Sequence, residues 1–352
     1  MAPSARLQAI STAVPPERLA QSAVKSHIHK LFREQGYDVT PLLPAFDNAG
    51  IETRYSAMPM EWYAQPRSWP ERTAIYQDAA LALLEDAAIR CLRSADLEPA
   101  DIDSLLLVSS TGIATPSLES LLMDRLAFRE DVERLPVFGL GCAGGVIGLG
   151  QAARLAEARP GSRILLLVVE LCSLNFRAQD LSKSNVIASA LFGDGAAAVL
   201  VSTDARKRGP ILGASAQHRW PGSKGIMGWR VEDDGLGVIF SRDIPQLVRR
   251  DLGPLVRRFL KHQNMTVASL AHSACHPGGA KVVAALEEVL QRPLPHERQI
   301  LRAYGNMSAP TALFVLERVL SEVRRLEGPL LSTALGPGFS AALQLVLPGG
   351  AE

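Results

Sequence analysis

Apolar residues recur every three or four positions from Gln77 to Leu97, with charges on the opposite face, so this segment predicts an amphipathic helix. The next run, Asp103 to Ser110, is short and mostly apolar and reads as a buried strand. The two patterns then alternate down the chain. Helices are predicted over Ser117–Leu126, from the glycines after Cys142 to Ala158, and over Gln246–Gln263, Gly279–Leu290 and Thr311–Arg325. Strands are predicted over Leu135–Leu140, Arg163–Leu171, Gly195–Val201, Leu270–Cys275, Pro329–Leu335 and Ala341–Leu347. Such alternation, with short Gly/Pro punctuation, predicts an α/β protein with parallel or mixed sheets between helix layers. A polar break, TDARKRG from Thr203 to Gly209, divides the chain into residues 1–205 and 206–352. The two parts share one texture, which suggests duplication.

A chain of 352 residues has room for two packed halves with substantial cores. Hydrophobic residues make up 47% and charged residues 21%, as in ordinary globular proteins. The formal net charge is +1 and no long like-charge block occurs, which argues against a nucleic-acid partner. No apolar run approaches the roughly 18 residues that span a bilayer, so stable membrane insertion is not expected. The longest run, around Ile164–Val169, ends at Glu170. The N-terminus, MAPSARLQAISTAVPPERLA, lacks the continuous apolar core of a secretory signal. Cys91, Cys142, Cys172 and Cys275 are scattered, with no CxxC and no zinc-type spacing, so a reducing, cytoplasmic setting and no metal are expected.

Three residues stand out chemically. Cys142 follows a predicted strand and precedes a helix rich in small residues, which places its thiol at a helix N-terminus, where thiolate is favoured. A buried structural cysteine is the competing reading. Cys91, inside an amphipathic helix, reads as core. His276 ends a strand in SACHPGG, beside a glycine turn that can project it into a cleft. Grouping His272, Cys275 and His276 as a metal site lacks a fourth ligand, and alternation along a strand would split the three between faces. His27, His29, His218, His262 and His296 lie among polar residues and read as solvated. Asn306, in AYGNMSAPT, follows a glycine that permits close backbone approach, though an asparagine there also suits a cap or turn.

GLGCAGG around Cys142, LFGDGAAA from Leu191, ACHPGG around His276, YGNMSAPT around Asn306 and LGPGFS from Leu335 occur in that order. Together they resemble the type III polyketide synthases, the chalcone synthase-like family, over almost the whole chain. The resemblance implies a thiolase-like, duplicated α/β/α/β/α layered fold, a homodimer, and a Cys142–His276–Asn306 catalytic set. Coenzyme A thioesters would be substrates, with no resident cofactor: an acyl-CoA starter and malonyl-CoA. It implies that His276 holds Cys142 as thiolate, and that His276 and Asn306 form an oxyanion hole for the malonyl thioester. Phe192 falls at the gatekeeper between CoA tunnel and active site. Ser110, Cys172, Asn175, Gly228, Val238, Ser308, Gly336, Pro337 and Gly338 fall at pocket-lining positions. Arg54, Gly278, Gly279 and Ala280 fall where CoA is held.

The chain departs from the plant pattern in several places. Val238 stands for the second gatekeeper phenylalanine, with Phe240 close by. The basic CoA cluster is poorly matched around Phe46-Asp47-Asn48, and Thr115 replaces a methionine that crosses the plant dimer interface. GLGCAGGVIGLG and VVELCSLNF look like bacterial members that make alkylresorcinols or alkylpyrones, so a long-chain fatty acyl starter is expected. The rival within enzymes is a ketoacyl synthase that initiates fatty acid synthesis, which usually carries HQAN-like and NTS-like motifs where this chain has HPGG and GNMSAP. The rival outside enzymes is a non-catalytic acyl-thioester binding homologue.

Overall fold

A computed structural model describes residues 4–204, 209–323 and 325–349. In chain order the N-terminal half contains β1 (Arg6–Ala13), β2 (Glu17–Ala20), α1 (Gln21–Glu34), α2 (Pro44–Asp47), β3 (Thr53–Ser56), α3 (Trp69–Ser94) and β4 (Ser104–Val108). It continues with α4 (Leu118–Leu122), β5 (Glu133–Val137), α5 (Gly144–Ala158), β6 (Arg163–Leu171), α6 (Lys183–Leu191) and β7 (Asp194–Ser202). The C-terminal half contains β8 (Ile211–Arg219), the hairpin β9 (Met227–Glu232) and β10 (Gly235–Phe240), α7 (Ile244–Leu247), α8 (Gly253–His262) and β11 (His272–Cys275). It ends with α9 (Ala280–Leu290), α10 (Pro295–Tyr304), α11 (Thr311–Glu322), β12 (Leu330–Gly336) and β13 (Ser340–Leu347).

Strand order carries the duplication. The main sheet runs β11-β12-β13-β8-β1-β7-β6-β4-β5. In the first half β4 and β6 pair parallel, while β6–β7 and β7–β1 are antiparallel. In the second half β11 and β12 pair parallel, while β12–β13 and β13–β8 are antiparallel. So β1, β4, β6 and β7 correspond to β8, β11, β12 and β13. Within the main sheet the halves meet where β1 lies beside β8, with Arg6 opposite Ile211. The expected boundary at 205/206 lies outside the described residues.

Both sheet faces are covered. On β6, Leu165, Leu167 and Val169 pack under α3, while Ile164, Leu166 and Val168 join the central core with α5 and α11. A strand buried on both faces is apolar throughout, which is why Arg163–Leu171 read so clearly. The α5 helix touches β6 and β7 on one side and β13 and β8 on the other. The α8 and α9 helices cover the outer face of the second half. The layers are therefore α/β/α/β/α, as expected.

Local differences have local causes. The α3 helix begins eight residues before the predicted Gln77, at a capping box in which Ser68 accepts from the Glu71 N–H and Glu71 accepts from the Ser68 N–H. The predicted helix Gln246–Gln263 is interrupted by a π turn at Val248–Leu252. The predicted helix Ser117–Leu126 shortens to Leu118–Leu122.

Candidate active site

Cys142 sits in a single 3-10 turn, Gly141–Ala143, that feeds directly into α5. Space dictates the glycines. A Cβ on Gly144 would lie 2.7 Å from Val108 Cγ1, and one on Gly145 would lie 2.3 Å from the Ala309 carbonyl. Gly141 has φ +49°, and a Cβ there would strike Pro337 at 2.6 Å. The α5 helix thus starts with its backbone against the segment that follows Asn306. The Ser110 hydroxyl accepts from the Gly139 and Gly141 N–H groups at 3.2 and 3.1 Å and so fixes the approach to the nucleophile.

His276 follows the end of β11, held by its N–H to the Thr333 carbonyl at 2.8 Å. The ring is buried and neither ring nitrogen has a partner. A Cβ on Gly278 would stand 3.7 Å from His276 Nε2, so the glycine leaves the ring face open. Asn306 Nδ2 donates to the carbonyl of that same Gly278 at 3.2 Å, and its Oδ1 accepts from the Ser308 N–H at 2.8 Å. The amide is thereby fixed in orientation, with its second N–H left for a ligand. The Ser308 side chain stands beside the Cys142 thiol. Backbone bonds join Asn306 to the gate: Asn306 N–H to the Leu191 carbonyl at 2.9 Å, and Gly193 N–H to the Asn306 carbonyl at 3.0 Å.

Burial sets the electrostatics. It pushes the Cys142 thiol up to about 12 and pulls His276 down to about 4. In both groups burial favours the uncharged form. Burial thus works against the depressed thiol expected from the helix N-terminus. Glu170, which the sequence reading noted only as the end of an apolar run, is fully buried behind this centre. Its Oε2 accepts from the Ser110 N–H at 2.9 Å, and burial pushes it up to about 7. A charge inside an otherwise apolar strand was the available signal.

A cavity of about 70 Å³, open to solvent at one end, adjoins this centre. Leu19, Val24, Ile28, Met60, Phe176, Trp229 and Val238 make most of its apolar wall, together with Cys172, Asn175 and Phe192. Cys172 lies near Cys142, and Phe192 is bridged to Asn306, so two residues of the cavity wall neighbour the reaction centre. Asn175 donates to the Thr111 carbonyl at 3.0 Å.

Several expected positions are corrected. Ser110 is not on the cavity wall, because its hydroxyl serves the nucleophile turn. Gly336 and Pro337 pack behind that turn, and Gly338 backs onto Arg219. A Cβ on Gly228 would meet only Pro337, at 4.0 Å, and its neighbour Trp229 stands on the cavity wall, directly across the hairpin from Val238. Trp229 and Phe240 flank Phe192 with ring centroids 6.4 and 6.3 Å away, so the space expected from Val238 is partly filled. Arg54 is only 3% exposed, and its guanidinium is bonded to the carbonyls of Ser189, Ala190 and Phe192. It is therefore not presented to a CoA phosphate. Ala280 gives its N–H to the Ala49 carbonyl, and Gly279 packs on Leu191 beside the gate. His27 is not solvated: it lines the cavity with Nε2 buried. Cys91 is core, as read. Among the described residues no group of three or more His, Cys, Asp or Glu side chains could hold a metal ion, and no helix is long and apolar enough to cross a membrane.

A thiol at the head of a helix buried between the two halves of the main sheet, approached by donors from the duplicated half, follows the plan of thiolase-like acyl-condensing enzymes. Residues 2–205 match the model for the N-terminal domain of chalcone and stilbene synthases, and residues 211–343 match that for the C-terminal domain. The chain is 40% identical over 346 residues to 1,3,6,8-tetrahydroxynaphthalene synthase of Streptomyces peucetius subsp. caesius, covering 96% of this chain and 92% of that one. It is 30% identical over 315 residues to type III polyketide synthase A of Arabidopsis thaliana, covering 82% and 79%. The solved tetrahydroxynaphthalene synthase of Streptomyces coelicolor A3(2), a bacterial type III polyketide synthase, superposes with a TM-score of 0.92 at 25% identity, covering 98% and 100%. The chain belongs to the chalcone and stilbene synthase family and is a type III polyketide synthase, an acyl-condensing transferase.

Proposed function

We propose that this synthase extends an acyl-CoA starter with an apolar, fatty-acid-like tail by decarboxylative condensation with malonyl-CoA, giving alkylpyrones or alkylresorcinols. The observation that carries this reading is the apolar cavity whose wall neighbours the reaction centre at Cys172 and Phe192. Cys142 passes its proton to His276 and attacks the starter thioester, and the CoA thiol leaves with a proton. The malonyl thioester oxygen then sits between a His276 N–H and the free Asn306 N–H. The bond to the carboxylate breaks, CO2 leaves, and its electron pair becomes an enolate whose oxygen those donors stabilise. Phe192, Trp229 and Phe240 surround the carboxylate with apolar surface, which favours its loss. The enolate carbon attacks the acyl–Cys142 thioester, a C–C bond forms, and the C–S bond to Cys142 breaks. No resident cofactor is needed for these steps.

A second reading is supported by the 40% identical relative and by Trp229 in the cavity wall: malonyl-CoA alone primes the chain, as the name tetrahydroxynaphthalene synthase suggests. Incubation with malonyl-CoA and a panel of acyl-CoAs, with products identified by mass spectrometry, separates the two. The alkyl reading expects kcat/KM to rise with tail length, at about 0.8 kcal/mol per buried CH2 until the cavity is full. Activity indifferent to tail length, or highest with malonyl-CoA alone, rejects it.

A homodimer is part of the proposal. The β5 strand ends the main sheet and is largely exposed. Leu135 within it and Phe138 just after it are 46% and 59% exposed, and an open apolar sheet edge calls for a partner.

A further inference from the structure

The α6 helix ends at the gate, and a helix leaves its last carbonyls without intrahelical partners. Here a single side chain from another element completes most of that terminus. Arg54, on β3, gives Nη1 to the Ser189 carbonyl at 2.6 Å and to the Phe192 carbonyl at 2.9 Å, and Nη2 to the Ala190 carbonyl at 3.0 Å. The one carbonyl it skips, that of Leu191, accepts from Asn306 N–H. Arg54 also occupies the gap where the Phe192 and Asn306 segments meet: Cβ atoms added to Gly193 and Gly305 would stand 3.3 and 3.5 Å from Arg54 Cβ. Asp194 lies near enough to balance the buried cation. A cation at a helix C-terminus is favoured by the macrodipole, and the guanidinium fork spans acceptors that a point charge cannot.

We infer that Arg54 is a positioning residue: it fixes the Phe192 gate in register with Asn306 and thereby governs decarboxylation without touching the reacting atoms. The inference rests on the roles proposed above for Phe192 and Asn306. Acylation of Cys142 uses the other side of the centre, α5 and His276, and does not depend on that register. Arg54 therefore discriminates between two half-reactions, which a residue serving the fold alone does not.

The test measures CO2 release from malonyl-CoA and, separately, acyl transfer to Cys142 by intact-protein mass spectrometry. Arg54→Lys, Arg54→Gln, Phe192→Ala and the double variant Arg54→Lys/Phe192→Ala are compared with wild type, with folding checked by circular dichroism. A misplacement of about 1 Å costs up to about 100-fold in rate. The expected result is a 10- to 100-fold fall in decarboxylation kcat in both Arg54 variants, roughly, with KM for malonyl-CoA and the acylation rate within about twofold. The double variant should be no slower than the slower single, because coupled residues are not additive. Wild-type decarboxylation in Arg54→Lys and Arg54→Gln, a multiplicative loss in the double variant, or an equal loss of both half-reactions overturns the inference. So does failure of both Arg54 variants to fold, which assigns the residue to the fold alone. Asn306→Ala is run alongside: normal decarboxylation there rejects the proposed function, whereas a loss there with none in the Arg54 variants rejects only Arg54.

Discussion

Glu170→Gln isolates the electrostatic cost of the carboxylate buried behind the nucleophile. Burial raises Glu170 from its ordinary 4.5 to about 7. Between those values the folded protein keeps a proton that the unfolded chain has released. The folded value lies above the unfolded one, so the stability involved is complete below about pH 4.5 and is lost as pH rises through about 7. Moving from 4.5 to about 7 corresponds to about 3 kcal/mol. Glutamine still accepts from the Ser110 N–H, but it places an amide NH2 where Oε1 has no partner. That costs about 1–3 kcal/mol at every pH, so absolute stability is not the readout. The readout is the change with pH, from urea unfolding at about pH 4.5 and about pH 8. Asp194 and Glu297 also rise, to about 6 and about 7, but both proteins contain them and their contributions cancel. Glu170→Gln should gain about 3 kcal/mol on wild type across this interval. Stability curves that run parallel from pH 4.5 to 8 would refute the reasoning.

Cys142→Ala should abolish condensation, and iodoacetamide should modify Cys142 before Cys91 or Cys275, which are sealed in cores; peptide mapping reads this out. Asn306→Ala should lose about 100- to 1000-fold in malonyl-CoA decarboxylation, the usual loss for one oxyanion donor, while Cys142 still takes up an acyl group. Trp229→Ala should move the preferred starter to longer tails in a kcat/KM series, and adding Val238→Phe across the hairpin should reverse part of that shift. Leu135→Asp with Phe138→Asp should turn the expected dimer into a monomer by light scattering, because two exposed apolar side chains at the sheet edge are lost.

Legibility in the sequence followed the source of each signal. Arg163–Leu171 was read to the residue, because a strand covered on both faces is a bounded apolar run. The α5 helix was readable because close helix-to-backbone packing demands glycine, and the glycines were there. Cys142, His276 and Asn306 were found through motifs, and the geometry then gathered His276 and Asn306 around Gly278. The β9–β10 hairpin was missed, since its strands lie outside the main sheet and are mostly half-exposed, without the period of a buried face. Its register decided which residue faces the cavity, and a one-residue slip moves every side chain to the other face. Gly228 had been placed on the pocket by family resemblance alone, which carries no register. Arg54 was misassigned for a related reason. A lone arginine carries no mark in sequence to tell a phosphate ligand from a cap on a helix three strands away in contact order, and only its bonds to Ser189, Ala190 and Phe192 separate the two.

The neutral state that burial favours in the centre bears on how one site serves two half-reactions. A protonated imidazole would hold a thiolate, but it would also attract the malonyl carboxylate and so stabilise the group that must leave. With His276 pulled down to about 4, the ring stays neutral at neutral pH and gains charge only while Cys142 gives up its proton. On the roles proposed above, once the thiol is acylated that demand is gone, and the neutral ring offers one N–H to an oxyanion without favouring the carboxylate. Asn306 offers the second N–H, and it cannot gain charge at all. Its orientation is set by Ser308 N–H on one side and the Gly278 carbonyl on the other, and its backbone is tied to the gate. On that reading the site keeps its donors rigid and its charges transient. That division suits an enzyme in which one cavity must first accept a thioester and then expel a carboxylate as CO2.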